Sequence, residues 1–367
     1  MIIAFYLPQF HPIPENDLAW GPGFTEWHNV SQARPRFRGH YQPHLPGELG
    51  FYDLRLDETR AAQAQLAMEH GIDGFCYYSY WLDGKIILGE PLERKLSTGI
   101  PDIPFCLCWA NENWTRAWDG RESQIILQQR YDANSLANYC SYLSRAFASE
   151  RYIRYEGRPL FIVYSPDEIP STIDFPGIIR HASVQAACGD PYLIAVRHGR
   201  VVSSVQELLG RGYDATLAFQ PNQNSFPKPH TPSALLKRAL RRWMPDSLYR
   251  LLSRKVESFY AVDYAAYIDG IRAIKRHPSE IACVFPSWDN TARRKIPTII
   301  QNTDPERYSR WLEEEVRRIG CNTAAPPFVF INAWNEWAEG CHLEPDQSNG
   351  RQFLIATRRA ITAPHQA

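Results

Sequence analysis

Met1-Ile2-Ile3-Ala4-Phe5-Tyr6-Leu7-Pro8-Gln9-Phe10-His11-Pro12 is a short apolar run, rich in strand-forming residues, that meets a proline and then a loop. The run reads as a strand, and the segment after it decides the architecture. A doubly wound nucleotide-binding fold needs a glycine-rich turn there, opening a helix. The chain has no such turn; a loop of about 40 residues, rich in Trp, Pro and His, comes instead. A long loop after a barrel strand belongs to the catalytic mouth.

Seven more β-branched or aromatic runs recur along the chain: Gly74 to Tyr80, Phe105 to Ala110, Leu160 to Tyr164, Tyr192 to Val196, Ala215 to Gln220, Ala282 to Ser287 and Pro327 to Ala333. Segments of helical period lie between and after them: Asp57 to His70, Pro91 to Thr98, Ser135 to Tyr152, Gly177 to Cys188, Val205 to Arg211, Tyr260 to Arg276, Pro305 to Ile319 and Gln352 to Thr362. Eight strands alternating with eight helices predict an α/β fold, a (β/α)8 TIM barrel forming a single domain over residues 1–367.

Composition narrows the function classes. The 367 residues carry 40 Lys plus Arg and 40 Asp plus Glu, a formal charge of zero, so nothing points to nucleic acid as a partner. No apolar run approaches the roughly 20 residues that cross a bilayer. The first residues lack a basic leader and a small-residue cleavage site, so no secretory signal is expected. Cys76, Cys106, Cys108 and Cys283 sit in apolar strand-like runs, as buried free thiols do, and a reducing cytoplasm is the expected location. With no C-x-x-C and no His pair at helical spacing, neither a metal site nor a cofactor is expected.

One insertion departs from this balance. Residues 228–255, between the sixth and seventh strands, hold eight basic residues (Lys228, Lys237, Arg238, Arg241, Arg242, Arg250, Arg254, Lys255) and one acid, Asp246, a net of +7. Apolar residues at near-helical spacing oppose those charges, and Pro245 divides the run into two short helices. It reads either as a solvated insertion packed on the barrel or as a surface that docks peripherally on an anionic membrane.

Barrel chemistry gathers where strands end. The first strand ends in Gln9 and His11, the second in Tyr78 and Trp81, the third in Trp109-Ala110-Asn111-Glu112-Asn113-Trp114, the seventh in Trp288-Asp289, and the eighth in Asn335-Glu336-Trp337-Ala338-Glu339. Nine of the eleven tryptophans fall in the first loop or at these ends, which predicts exposed aromatic faces beside amides and carboxylates, as a sugar ring requires. A carbohydrate is therefore the expected substrate.

Glu336 and Glu339 form the sharpest pair. In a strand-to-turn exit, positions i and i+3 come together with Cβ atoms about 5–6 Å apart, and their repulsion raises one pKa and leaves the other group ionised. An acid and a base in one pocket suit glycosidic chemistry, whereas a pair on a surface helix would simply be solvated. Glu112 reads as a holder of sugar hydroxyls or as a structural carboxylate bonded to loop amides, and Asp289 carries the same two readings. Glu26, beside Trp27, reaches the mouth or caps the first loop. His11 and His44 read as pocket walls rather than metal ligands.

Ala4-Phe5-Tyr6-Leu7-Pro8-Gln9-Phe10-His11-Pro12, Gly23-Phe24-Thr25-Glu26-Trp27, Gly39-His40-Tyr41-Gln42-Pro43-His44, Gly71-Ile72-Asp73-Gly74-Phe75-Cys76-Tyr77-Tyr78, Trp109-Ala110-Asn111-Glu112-Asn113-Trp114 and Trp334-Asn335-Glu336-Trp337-Ala338-Glu339-Gly340 together resemble the WbsX-like family of bacterial O-antigen and polysaccharide clusters, over nearly the whole chain. That family is labelled as glycosyltransferases or as carrying a glycoside hydrolase family 99-like domain. Family 99 contains retaining endo-α-mannosidases built on a (β/α)8 barrel, and its strand-eight motif is similar to Glu336 to Pro345 here. The resemblance implies that Glu336 takes the sugar 2-hydroxyl proton, giving a 1,2-anhydro sugar, and that Glu339 is the acid and then the base. No metal is implied. Ala338 and Cys341 depart from larger polar residues in those hydrolases, a difference that bears on substrate. Hydrolysis and transfer both stay open, as does a non-catalytic sugar-binding barrel.

Overall fold

Parallel strands in a barrel are covered inside by one another's side chains and outside by helices, so each is apolar on both faces and reads as a continuous run. Eight such strands close into a ring: β1 (Ile2–Tyr6), β2 (Gly74–Leu82), β3 (Phe105–Trp109), β4 (Arg158–Val163), β5 (Tyr192–Val196), β6 (Ala215–Ala218), β7 (Glu280–Val284) and β8 (Val329–Ile331). The computed structural model describes residues 1–116, 121–226, 259–321 and 326–363. Neighbouring strands are parallel throughout, and β1 closes the ring by pairing with both β2 (Ala4 opposite Phe75) and β8 (Ala4 opposite Ile331).

Each strand is followed by a helix: α1 (Asp57–Glu69), α2 (Glu90–Thr98), α3 (Ala133–Phe147), α4 (Phe175–Gln185), α5 (Val205–Gly210), α6 (Tyr264–Ala273), α7 (Pro305–Cys321) and α8 (Gln352–Thr362). The (β/α)8 expectation therefore holds. Several boundaries shift by a few residues, as where the helix expected over Ser135 to Tyr152 runs Ala133–Phe147. At one of them the element itself changes: Tyr260–Asp263 is a short strand beside Thr298–Gln301, and α6 begins only after Asp263, whose carboxylate accepts from the Ala266 amide at 3.0 Å. An aspartate cap satisfies an otherwise unpaired amide of the first turn, and that fixes the helix start.

Side-chain parity organises the core. Phe5 points into the ring, 5.4 Å from Tyr78, 5.3 Å from Phe219 and 5.5 Å from Phe330, while Tyr6 points outward and donates to Gln63 Oε1 on α1 at 2.7 Å. At Gly74 a Cβ would stand 2.9 Å from the Pro104 carbonyl, so only glycine lets β2 begin so close to the segment entering β3. The first βα loop carries two helices, Pro14–Trp20 and Trp27–Gln32, instead of running without regular structure. Among the described residues no helix is long and apolar enough to cross a membrane. The insertion 228–255 lies outside the described residues.

Candidate functional site

A cavity of about 580 Å³ opens where the strands end, lined by residues that include Gln9, Tyr78, Glu112, Trp288, Glu336 and Glu339. After β8 the chain makes a two-residue hairpin, Asn335–Glu336 against Cys341–His342, with a 3₁₀ turn over Trp337–Glu339 between. The turn brings both glutamates to one wall. It ends at Gly340 (φ 54°), where a Cβ would lie 2.9 Å from the Asp289 carbonyl, and the Asp289 amide donates to the Glu339 carbonyl at 2.7 Å.

Arg293 is the hub of this wall. Its Nη2 lies 3.2 Å from Glu336 Oε1 and also bonds Glu26 Oε1, and its Nη1 lies 2.9 Å from Glu339 Oε1. Three carboxyl groups thus share one cation. Burial, with Glu339 and Glu26 adding negative potential against the opposing Arg293, pushes the Glu336 carboxyl up to about 8. Burial likewise raises Glu26, again against Arg293. The sequence reading missed Arg293; its signal was position, four residues past Asp289 in the loop after β7.

Glu112 stands on another wall and is held from two sides. Its Oε1 accepts from Arg200 Nη2 at 2.5 Å and from Ser165 Oγ at 2.7 Å. Ser165 Oγ lies 2.9 Å from His198 Nε2, while His198 Nδ1 accepts from the Arg200 amide at 3.2 Å. Because Nδ1 is the acceptor, Nε2 carries the hydrogen and donates to Ser165, which passes its own to Glu112. The serine and histidine therefore serve to orient the Glu112 carboxylate; the histidine has no lone pair to offer the serine.

Several expected mouth residues lie elsewhere, and for two of them, Trp81 and Trp109, strand parity is the reason. On β2, Tyr78 and Tyr80 face the cavity, whereas Trp81 points outward, donating to Ser135 Oγ at 3.0 Å and stacking on Tyr139 of α3. Trp109 shares the outward parity and is fully buried against Tyr139 and Phe175. Trp114 packs on Tyr80 outside the cavity lining. Trp27 and Trp337 form a core above the barrel: their rings lie 5.6 Å apart, and Trp337 stacks on His342 at 3.8 Å. Glu26 is buried behind Arg293 and does not line the cavity. His11 is buried off the cavity, and that burial lowers its pKa to about 4.

Two asparagines brace the mouth instead of lining it. Asn335 accepts from the Leu7 amide at 2.7 Å and donates to the Leu7 carbonyl at 3.0 Å. Asn111 makes the same paired contact with Ser165, accepting at 2.8 Å and donating at 2.7 Å. Each side-chain amide imitates one rung of a β-ladder where regular pairing has ended.

A second cavity, of about 240 Å³, lies behind the glutamate wall and takes in His44 and Asp289. Asp289 accepts from Gln42 Nε2 at 2.6 Å, bonds Thr291, and lies 2.6 Å from His40 Nε2; these bonds hold its carboxyl below the usual range against the opposing effect of burial. His44 does have a partner at ligand distance, contrary to expectation: His342 Nε2 lies 3.1 Å from its Nδ1. A separation of 298 positions hid it. The seven cysteines whose side chains are described are buried free thiols.

Residues 2–357 match the model of the family described as Glycosyltransferase WbsX. The chain belongs to that family. The uncharacterized protein WxcX of Xanthomonas campestris pv. campestris is 39% identical over 363 residues, 98% of this chain and 49% of the relative. The chain thus spans about half the length of the curated relatives it matches. Among solved structures it resembles a GH99 endo-alpha-mannosidase from Bacteroides thetaiotaomicron, at TM-score 0.56 and 14% identity, covering 98% of this chain and 95% of that one. A glycoside hydrolase-like protein matches at TM-score 0.57 and 14% identity over 99% and 94%. At that identity the likeness speaks for the barrel fold.

Proposed function

We propose that the chain makes or breaks an α-linked, mannose-like glycosidic bond of a bacterial surface polysaccharide or its precursor, with retention of configuration. The observation that carries this reading is the convergence of Glu336 and Glu339 on one guanidinium at one wall of the main cavity. Ionised Glu336 takes the 2-hydroxyl proton as that oxygen attacks C1, while Glu339 protonates the departing oxygen. Glu339 then takes a proton from the incoming water or hydroxyl, whose oxygen opens the 1,2-anhydro ring, and Glu336 returns its proton to O2. Gln9 and Asn332 support the substrate class: their side-chain amides line the cavity, and amides pair with sugar hydroxyls. Tyr78 and Trp288 supply apolar surface.

A second reading, transfer from a nucleotide- or lipid-linked sugar, is favoured by Arg200, Arg293 and Arg294 on the same cavity and by the family's description. Those cations suit an anionic leaving group. In this reading the +7 segment 228–255 holds the protein beside anionic lipid on the cytoplasmic side of the membrane. Incubation with nucleotide sugars and with α-linked oligosaccharides separates the two, through released nucleotide against released sugar. Glu339→Gln is expected to lose most turnover while still holding ligand. Unchanged turnover in this variant, or ligand capture with no product in the parent protein, sinks the catalytic reading in favour of a binding barrel.

A further inference from the structure

The geometry points to a divalent transition-metal site, of the zinc class, made by His44, His342 and Asp346 behind the glutamate wall. The three side chains are buried, and one ligand atom from each lies within 4.8 Å of the others. They come from the first βα loop and from the segment after β8, so the site clips together the two longest-separated parts of the mouth.

The tautomers argue for a cation. His342 Nδ1 lies 3.0 Å from the Glu344 carbonyl, which can only accept, so Nδ1 carries the hydrogen and Nε2 presents a bare lone pair. A backbone carbonyl on the far nitrogen is the usual support of a metal-binding imidazole. That lone pair faces His44 Nδ1 at 3.1 Å and Asp346 Oδ2 at 3.9 Å. A hydrogen bond between the imidazoles accounts for the first contact and leaves the second as two electron-rich atoms with no proton between them. A cation would take the place of that hydrogen bond and draw in the carboxylate oxygen as a further ligand. Tetrahedral zinc, with bonds of about 2.0–2.2 Å, sets its ligand atoms about 3.4 Å apart, between the two separations observed.

The remaining chemistry agrees. The Ser348 amide donates to Asp346 Oδ1 at 2.8 Å and Asn349 Nδ2 to its Oδ2 at 3.0 Å, which fixes the carboxylate's orientation. The adjoining cavity of about 240 Å³ leaves room for a water as a fourth ligand. His342 pairs with Asn335 in the hairpin that carries Glu336, so the ion would brace the glutamate wall from behind without touching substrate.

The test is titration of the chelator-stripped chain with Co2+, read by ligand-field absorption, and then displacement with Zn2+. One equivalent should bind, with a rise in melting temperature, and His342→Ala and His44→Gln should abolish the spectrum while Asp346→Asn weakens binding at least tenfold. Gln at position 44 still donates a hydrogen bond to His342, so this variant keeps the packing if the Ala variant does not fold. No saturable cobalt spectrum, or one that survives His44→Gln unchanged, overturns the site.

Discussion

Glu26→Gln removes the ionisable proton site of one of the three carboxyl groups gathered on Arg293 and tests whether the charge of Glu26 sets the proton affinity of Glu336. Both carboxylates bond the same Nη2, so their oxygens lie no more than about 6 Å apart. At an effective dielectric of about 20, unit charges at that separation interact by about 3 kcal/mol, roughly two pKa units. The amide also frees Arg293 to serve the remaining pair, so both effects lower Glu336 from its value of about 8. If Glu336 works as a base, kcat/KM of the parent rises with pH up to that value, and in the variant the same limb moves to lower pH by about one to two units. Near pH 6.5 the variant should then outperform the parent by about tenfold. A limb that stays put refutes the electrostatic coupling. Activity that falls as pH rises through 8 refutes the assignment of the base and exchanges the roles of the two glutamates.

Arg293→Met leaves Glu26, Glu336 and Glu339 without their cation, and the loss expected from urea unfolding is about 3–5 kcal/mol at pH 8. At pH 5 the loss shrinks, because carboxyls with raised pKa are then protonated and need no guanidinium. Asn335→Ala strands the Leu7 amide and carbonyl and should cost about 1–3 kcal/mol for each group left unpaired, visible as a lower urea midpoint. Vesicles containing anionic phospholipid should sediment the protein through segment 228–255, with binding that weakens as salt rises; equal capture by neutral vesicles removes the electrostatic account.

The barrel was legible because burial on both faces turns a strand into an unbroken apolar run, and Ile2–Tyr6 and Tyr192–Val196 are such runs. The glutamate wall was legible too, since its two acids are three positions apart and the turn alone brings them together. Contacts made across the ring were hidden: Arg293 meets Glu26 from 267 positions away, and nothing local marks that pairing. Tryptophans misled for a different reason. Trp81 and Trp109 do lie at the ends of strands, but whether a residue there faces the cavity or the helices is decided by parity, which its place near the strand end does not reveal.

The bond pair between Asn335 and Leu7 spans 328 positions, and β1 finds its second neighbour only in β8. On a ribosome the first strand must wait, one edge open, through the synthesis of nearly all the rest of the chain. Cutting the chain ahead of β8 would therefore do more than loosen the barrel. It would leave a gapped ring with neither glutamate, and supplying the missing piece as a separate peptide should restore both the ring and the glutamate wall together.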